Sequence, residues 1–141
     1  MTDVYDSLDH HLKGAGSFER AAVPPGIYLA WCINMGLESR MLHERDQQAV
    51  LRVRYRELKG SEFLVSVCGG VLDASLLSDA GRRFTRTHYQ AYLDALQALA
   101  PDECVYDYDD DWALYERMAS FLTRQYMGGG SQKRRWWRFW R

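Results

Sequence analysis

The sequence predicts an all-α domain, a compact bundle of five to six helices around a buried central helix. Three observations carry this prediction. A nearly continuous apolar run from Ile27 to Met35 is typical of a helix that protein surrounds on every side. Two later segments repeat apolar residues every three or four positions, as one face of a helix requires. A hydrophobic fraction of 47% over 141 residues is enough for one domain with its own core.

The first third of the chain is predicted as a loop followed by the central helix. Residues 1–23 carry Gly14, Gly16 and many polar side chains, so they are predicted to be mostly loop. Pro24-Pro25-Gly26 suits a first helical turn, because the N–H groups there need no intrahelical partner. Gly36 marks the end of this helix, since glycine readily adopts the positive φ of a C-terminal cap.

The middle third is predicted to be helical. Residues 39–58 favour one helix by composition, although Leu51 to Arg56 also alternates like a strand. Ser61 is predicted to cap a short helix that Gly69-Gly70 closes. Asp73 and Ser78 offer two further helix starts.

The last third is predicted to hold two amphipathic helices. From Asp79 to Leu99 one apolar stripe keeps helical spacing, and Pro101 stops it. The second helix is marked by residues spaced three and four apart, namely Trp112, Tyr115, Ala119, Leu122 and Tyr126. Asp109, Asp110 and Asp111 precede it, where the positive end of the helix dipole favours negative charge.

The charge distribution divides the chain into a domain over residues 1–127, a glycine-rich linker over 128–132 and a tail over 133–141. The tail holds five of the 18 basic residues, so the rest of the chain has 18 − 5 = 13 basic against 19 acidic residues. Cationic and aromatic side chains of this kind could bind anionic lipid weakly, single-stranded nucleic acid or an acidic protein surface, or could simply be solvated. The residues predicted to dock are Arg134, Arg135, Trp136, Trp137, Arg138 and Trp140.

An acidic loop before Trp112 is the predicted partner-binding site. Six carboxylates lie between residues 102 and 111, and one of them would cap the following helix. The interleaved tyrosines resemble the aromatic anchors of protein-binding surfaces. The alternative interpretation is a solvated helix start, and the spacing does not match an EF-hand calcium loop. The predicted site comprises Tyr106, Asp107, Tyr108, Asp109, Asp110 and Asp111.

Motifs for enzymatic chemistry are absent from the sequence. There is no nucleophile elbow, phosphate-binding loop or cysteine spacing suited to zinc, and the three separated cysteines are predicted to be reduced thiols. His10 and His11 lie near Asp6, but no further metal ligand or nucleophile stands out. The near-neutral net charge of −1 disfavours specific nucleic-acid binding by the body. We therefore predict a cytoplasmic protein without enzymatic activity, cofactor or metal.

An ordered set of short motifs runs through residues 5–126. It begins with Tyr5-Asp6 and His11, and continues with the segment 26–31 and with Met35-Gly36-Leu37. The later members are Phe63-Leu64, Cys68 to Leu72, Gly81, Phe84, Tyr89, Tyr92, Leu93, Trp112 and Tyr115. This set resembles a family of small bacterial proteins that carry a domain of unknown function, some of which end in a tail similar to Trp136–Trp140.

The resemblance implies a function, because similar proteins often look like immunity partners of secreted bacterial toxins. On this basis we expect an immunity protein that binds one cognate toxin and neutralises it by blocking its active site or its substrate access. The alternative expectation is an adaptor whose tail docks on a membrane or on a protein partner.

Overall fold

The computed structural model describes residues 3–128, and most of them are helical. Eight α-helices and one pair of short strands follow one another in this part of the chain, with two 3₁₀ turns at Ala74–Leu76 and Val105–Asp107. The elements are β1 (Val4–Ser7), α1 (Leu8–Ala15), α2 (Phe18–Ala21), α3 (Val23–Asn34), α4 (Arg40–Arg45), α5 (Gln47–Arg54), α6 (Gly60–Cys68), β2 (Val71–Asp73), α7 (Asp79–Ala98) and α8 (Trp112–Met127).

Helix α3 is the predicted buried helix, and it begins at Val23, one residue before the two prolines. Every residue of α3 except Asn34 is buried. Its largest side chains, Tyr28 and Trp31, are 0% and 1% exposed and belong to the fully buried core. Helices α5, α6, α7 and α8 pack around α3, which accounts for its apolar residues on all faces.

A pair of glycines lets α3 and α6 approach each other closely. A Cβ atom added to Gly60 would lie 1.9 Å from the carbonyl oxygen of Gly26, and one added to Gly26 would lie 2.4 Å from the amide nitrogen of Ser61. Backbone therefore meets backbone where the two helices begin, and no side chain fits between them. This contact fixes α6 and the position of Ser61.

The prediction of a mostly helical fold is confirmed, but the prediction of loop before α3 is wrong. The fold also contains one small sheet, in which β1 pairs antiparallel with β2 through Asp6 opposite Leu72 and Ser7 opposite Val71. The described part of residues 1–23 is also mostly regular structure and not loop, since it forms β1, α1 and α2. The hydroxyls of Ser7 and Ser17 accept from backbone N–H groups three residues later, and such caps stabilise the starts of α1 and α2.

The middle of the chain also differs from the prediction. Residues 39–58 form two helices and not one, because Asp46 ends α4 and its carboxylate caps α5. The alternative strand over 51–56 is wrong, since α5 continues to Arg54. Ser61 lies inside α6 and does not cap it, because the helix begins after Lys59. The described chain thus holds more and shorter helices than the five or six predicted.

The predicted starts of the later elements are confirmed. Asp73 caps the 3₁₀ turn that follows β2, and Ser78 accepts from the N–H of Gly81 at the start of α7. Asp111 accepts from the N–H of Leu114 at 2.8 Å and caps α8. Within residues 3–128, no helix combines the length and the apolar character needed to cross a bilayer.

Candidate functional site

The acidic loop, defined here as residues 102–111, joins α7 to α8 and contains one 3₁₀ turn. Some of its side chains face inward and hydrogen-bond to the rest of the fold. The others face the solvent as exposed carboxylates. These two sets have different physical roles.

Tyr106 ties the acidic loop to α1. Its hydroxyl oxygen lies 2.5 Å from Nδ1 of His11, although the two residues are far apart in sequence. Its ring lies over Gly14, where an added Cβ would be only 2.9 Å from Cε2 of the tyrosine. The small residue in α1 therefore makes room for the ring that holds the loop.

Behind Tyr106, His11 belongs to a buried hydrogen-bond network centred on Asp6. Nε2 of His11 lies 2.6 Å from Oδ2 of Asp6, and the hydroxyl of Tyr89 donates to the same oxygen. The N–H of Ser7 donates to Oδ1 at 2.8 Å. Asp6 and His11 are each 5% exposed, and a buried carboxylate needs such partners to offset its desolvation. Burial, together with the charge of Asp6, raises the pKa of Tyr89 well above its usual value.

The order Asp6, His11, Tyr106 resembles the carboxylate–imidazole–hydroxyl arrangement of nucleophilic enzymes. The chemistry of the hydroxyl differs, however. Burial, and secondarily the charge of Asp6, raises the pKa of Tyr106, so the phenolate that would act as a nucleophile is disfavoured. The protonated hydroxyl of Tyr106 can therefore act as a hydrogen-bonded tie between the acidic loop and α1.

His10 lies at the exposed edge of the same network. Its ring meets that of His11 edge to face, with the ring centres 4.9 Å apart. One potential ligand atom from each of Asp6, His10 and His11 lies within 4.8 Å of the other two. All three residues were near one another in the sequence, and the fold brings their ligand atoms together by placing Asp6 in β1, directly before the cap of α1.

Tyr108 ties the acidic loop to the end of α7. Its hydroxyl accepts from the N–H of Ala100 at 3.1 Å and donates to the carbonyl oxygen of Gln97 at 3.1 Å. Asp110 accepts from the hydroxyl of Ser61 at 2.5 Å, which connects the loop to α6. Together with the Asp111 cap of α8, these bonds fix the loop at both ends.

The remaining carboxylates of the acidic loop face the solvent. Asp107 is paired with Arg20 at 3.0 Å, but both side chains are more than half exposed, so this ion pair contributes little to stability. The exposed acidic residues of the loop that neither cap a helix nor bond to Ser61 are Asp102, Glu103, Asp107 and Asp109.

A cleft of about 410 Å³ adjoins the acidic loop and is lined in part by Asp110. Phe18 and Val65 contribute exposed apolar surface to it, with 58% and 42% of their areas accessible. The same cleft is also lined by three charged side chains, namely Glu19, Lys59 and Glu62. Exposed aromatic surface next to charged groups is typical of protein-binding surfaces.

A family model for the domain of unknown function DUF7832 matches residues 4–121 of the chain. The chain belongs to the DUF7832 family. The matched DUF7832 region runs from the first residue of β1 into α8 and includes Asp6, His11 and the acidic loop. No curated protein and no solved structure gives a significant match.

The predicted site residues are distributed between the two sets of side chains. Tyr106, Tyr108, Asp110 and Asp111 bond within the fold and hold the loop, whereas Asp107 and Asp109 are exposed. Arg20, Ser61 and Phe18 were not predicted as site residues, because their place beside the loop depends on contacts distant in sequence. The predicted docking residues of the tail, 134–138 and 140, lie outside the described part of the chain.

Proposed function

We propose that this DUF7832 protein is an immunity protein, which binds one cognate toxin stoichiometrically and blocks its active site. The mechanism is steric occlusion assisted by charge. The acidic surface is drawn to a basic substrate-binding cleft on the toxin, and this attraction accelerates association. The proposal includes a cytoplasmic location, which is supported by the three free thiols Cys32, Cys68 and Cys104.

The observation that carries the proposal is the internal fixation of the acidic loop. Its tyrosines bond to His11 in α1 and to the end of α7, and Asp110 bonds to Ser61 in α6. A loop that is already held in one conformation loses less entropy when a partner binds. In this proposal Tyr106 and Tyr108 act by holding the loop, and the exposed carboxylates contact the partner.

The chemistry of the exposed surface supports a protein partner with a basic cleft. Asp107 and Asp109 supply negative charge, and the neighbouring Phe18 supplies the aromatic surface on which binding energy is usually concentrated. A steering charge of this kind acts mainly on the association rate.

The test uses charge reversal in the acidic loop. The full chain serves as bait in a native lysate, and the captured toxin is purified for calorimetry with Asp107→Lys/Asp109→Lys. The two substitutions leave each buried contact of the fold intact, so we expect no loss of stability. Binding should weaken by about tenfold or more, because lysines at the rim of the interface repel a basic cleft. Unchanged affinity would contradict this assignment of the site.

The matched control is Asp79→Lys, which reverses a charge at the opposite end of α7. Asp79 is exposed and lies 18 residues before Gln97, about 27 Å away at the helical rise of 1.5 Å per residue. We expect this variant to bind like the unaltered chain. Asp79→Lys changes the net charge by +2 and the double variant changes it by +4. A loss of binding free energy half as large as that of the double variant would therefore mean that net charge, and not the acidic loop, determines affinity.

Removing residues 129–141 separates the immunity proposal from the adaptor alternative. An immunity protein whose site is the acidic loop should still neutralise its toxin without the tail. An adaptor should lose its localisation or its partner.

A further inference from the structure

We propose that Asp6, His10 and His11 form a binding site for a divalent cation of the zinc class. The proposal is independent of the immunity function, because it concerns the network behind the acidic loop and not the exposed carboxylates. Two imidazoles and one carboxylate form the ligand set that catalytic and regulatory transition-metal sites use when they leave a position open for water.

The geometry of the three side chains is close to that of a metal site. Their ligand atoms lie within 4.8 Å of one another, and Nε2 of His11 is only 2.6 Å from Oδ2 of Asp6. Zinc bonds of about 2.1 Å in a tetrahedral arrangement place neighbouring ligand atoms about 3.4 Å apart. Asp6 and His11 must therefore separate slightly, and His10 must approach by at most roughly 1.4 Å by the same geometry.

Each buried ligand already has the outer partner that metal ligands require. The hydroxyl of Tyr89 donates to the carboxylate of Asp6, and it can keep doing so when that carboxylate binds a cation. Nδ1 of His11 faces the hydroxyl oxygen of Tyr106 at 2.5 Å. When Nδ1 carries the proton and donates to Tyr106, the lone pair of Nε2 is free to bind the cation. Metal-binding histidines usually have their tautomer fixed in this way, by a hydrogen bond from the other ring nitrogen.

The site is accessible from solvent through His10. Asp6 and His11 are buried, whereas His10 is exposed, so its ring can turn to complete the site. Loading the site replaces the hydrogen bond between Asp6 and His11 with a bond from each side chain to the cation. Nitrogen ligands favour zinc, cobalt or nickel over calcium and magnesium, which prefer sites made of oxygen alone.

The test measures zinc binding to the full chain by calorimetry after treatment with a chelator. All proteins carry Cys104→Ser, because this exposed thiol could bind zinc independently. We expect one equivalent of zinc per chain, and cobalt in the same site should give a visible spectrum with nitrogen and oxygen ligation.

The deciding variant is His10→Ala, because His10 is exposed and its loss should leave the metal-free fold and its melting temperature unchanged. We expect zinc affinity to fall by roughly 100-fold, since loss of a direct ligand costs at least as much as loss of a group that only hydrogen-bonds to a ligand. His43→Ala is the matched control, a partly exposed histidine of α4 outside the cluster, and should bind zinc normally. The proposal is overturned if the Cys104→Ser chain binds no zinc, if His10→Ala binds it equally well, or if His43→Ala loses binding too.

Discussion

Replacing Tyr106 by Phe tests whether the acidic loop is held through α1. The change removes one hydroxyl and keeps the ring that covers Gly14. It leaves Nδ1 of His11 without its partner at 2.5 Å. An unpaired buried polar group costs about 1–3 kcal/mol. Because Tyr106 is only partly buried and water can reach the vacated position, we expect the free energy of unfolding to fall by about 1–2 kcal/mol.

Urea denaturation measures this change directly. With a slope of about 1–3 kcal/mol per molar urea, the midpoint should fall by roughly 0.3–2 M while the slope stays the same. Tyr55→Phe is the matched control, because Tyr55 is 71% exposed, and its midpoint should not move.

Hydrogen exchange shows where the loss acts. The N–H of Asp107 donates to the carbonyl oxygen of Cys104 within the 3₁₀ turn of the loop, and this amide should exchange faster in Tyr106→Phe. Amides in the centre of α3 should change only with global stability. A variant with the midpoint and the loop exchange of the unaltered chain would refute the role given to Tyr106.

Three further predictions concern the core and its ionisable groups. Gly60→Ala should lower the free energy of unfolding by about 3 kcal/mol, because the added Cβ would lie 1.9 Å from the carbonyl oxygen of Gly26. Urea denaturation measures this loss, and a smaller change would show that α6 shifts easily. Iodoacetamide at pH 8 should modify the exposed Cys104 well before Cys68, whose pKa burial raises to about 12; equal labelling in a mass spectrum would contradict this order. The melting temperature should fall as the pH rises above about 9, because unfolding frees the thiols of Cys32 and Cys68, whose pKa values burial raises in the folded chain. The fall should steepen above about pH 10, where unfolding also frees buried tyrosines with raised pKa values, and a constant value to pH 11 would oppose the burial of Tyr28, Tyr89 and Tyr92.

Local signals predicted much of the helical framework. The apolar run of α3 and the stripes of α7 and α8 reflect burial that depends on helical periodicity alone. Single capping residues such as Ser78 and Asp111 also act within one turn of their helices. These elements could be read from the sequence because their determinants lie close together in it.

The pairing of β1 with β2 could not be predicted in the same way. The strands have four and three residues and are separated by most of the first half of the chain. Ser7 and Ser17 were nevertheless readable signals, because each lies three residues before the N–H group that it caps. They would have placed α1 and α2 in a segment that composition alone indicated to be loop.

The candidate site was predicted by its charges and not by its geometry. The acidic loop is evident from composition, but the bonds of Tyr106 to His11 and of Asp110 to Ser61 depend on the folded chain. The same limit applies to the cluster of Asp6, His10 and His11. A strand that ends at the cap of α1 brings Asp6 back toward His11, and no spacing rule for metal ligands describes that turn.

The association rate of the captured toxin at different salt concentrations tests the central claim most directly. If exposed carboxylates such as Asp107 and Asp109 draw the protein to a basic cleft, the rate should fall steeply with ionic strength, as screening reduces the attraction. In Asp107→Asn/Asp109→Asn the rate should be lower at low salt and should depend less on salt. A rate that is independent of salt, and the same in both proteins, would contradict the proposed role of the acidic loop.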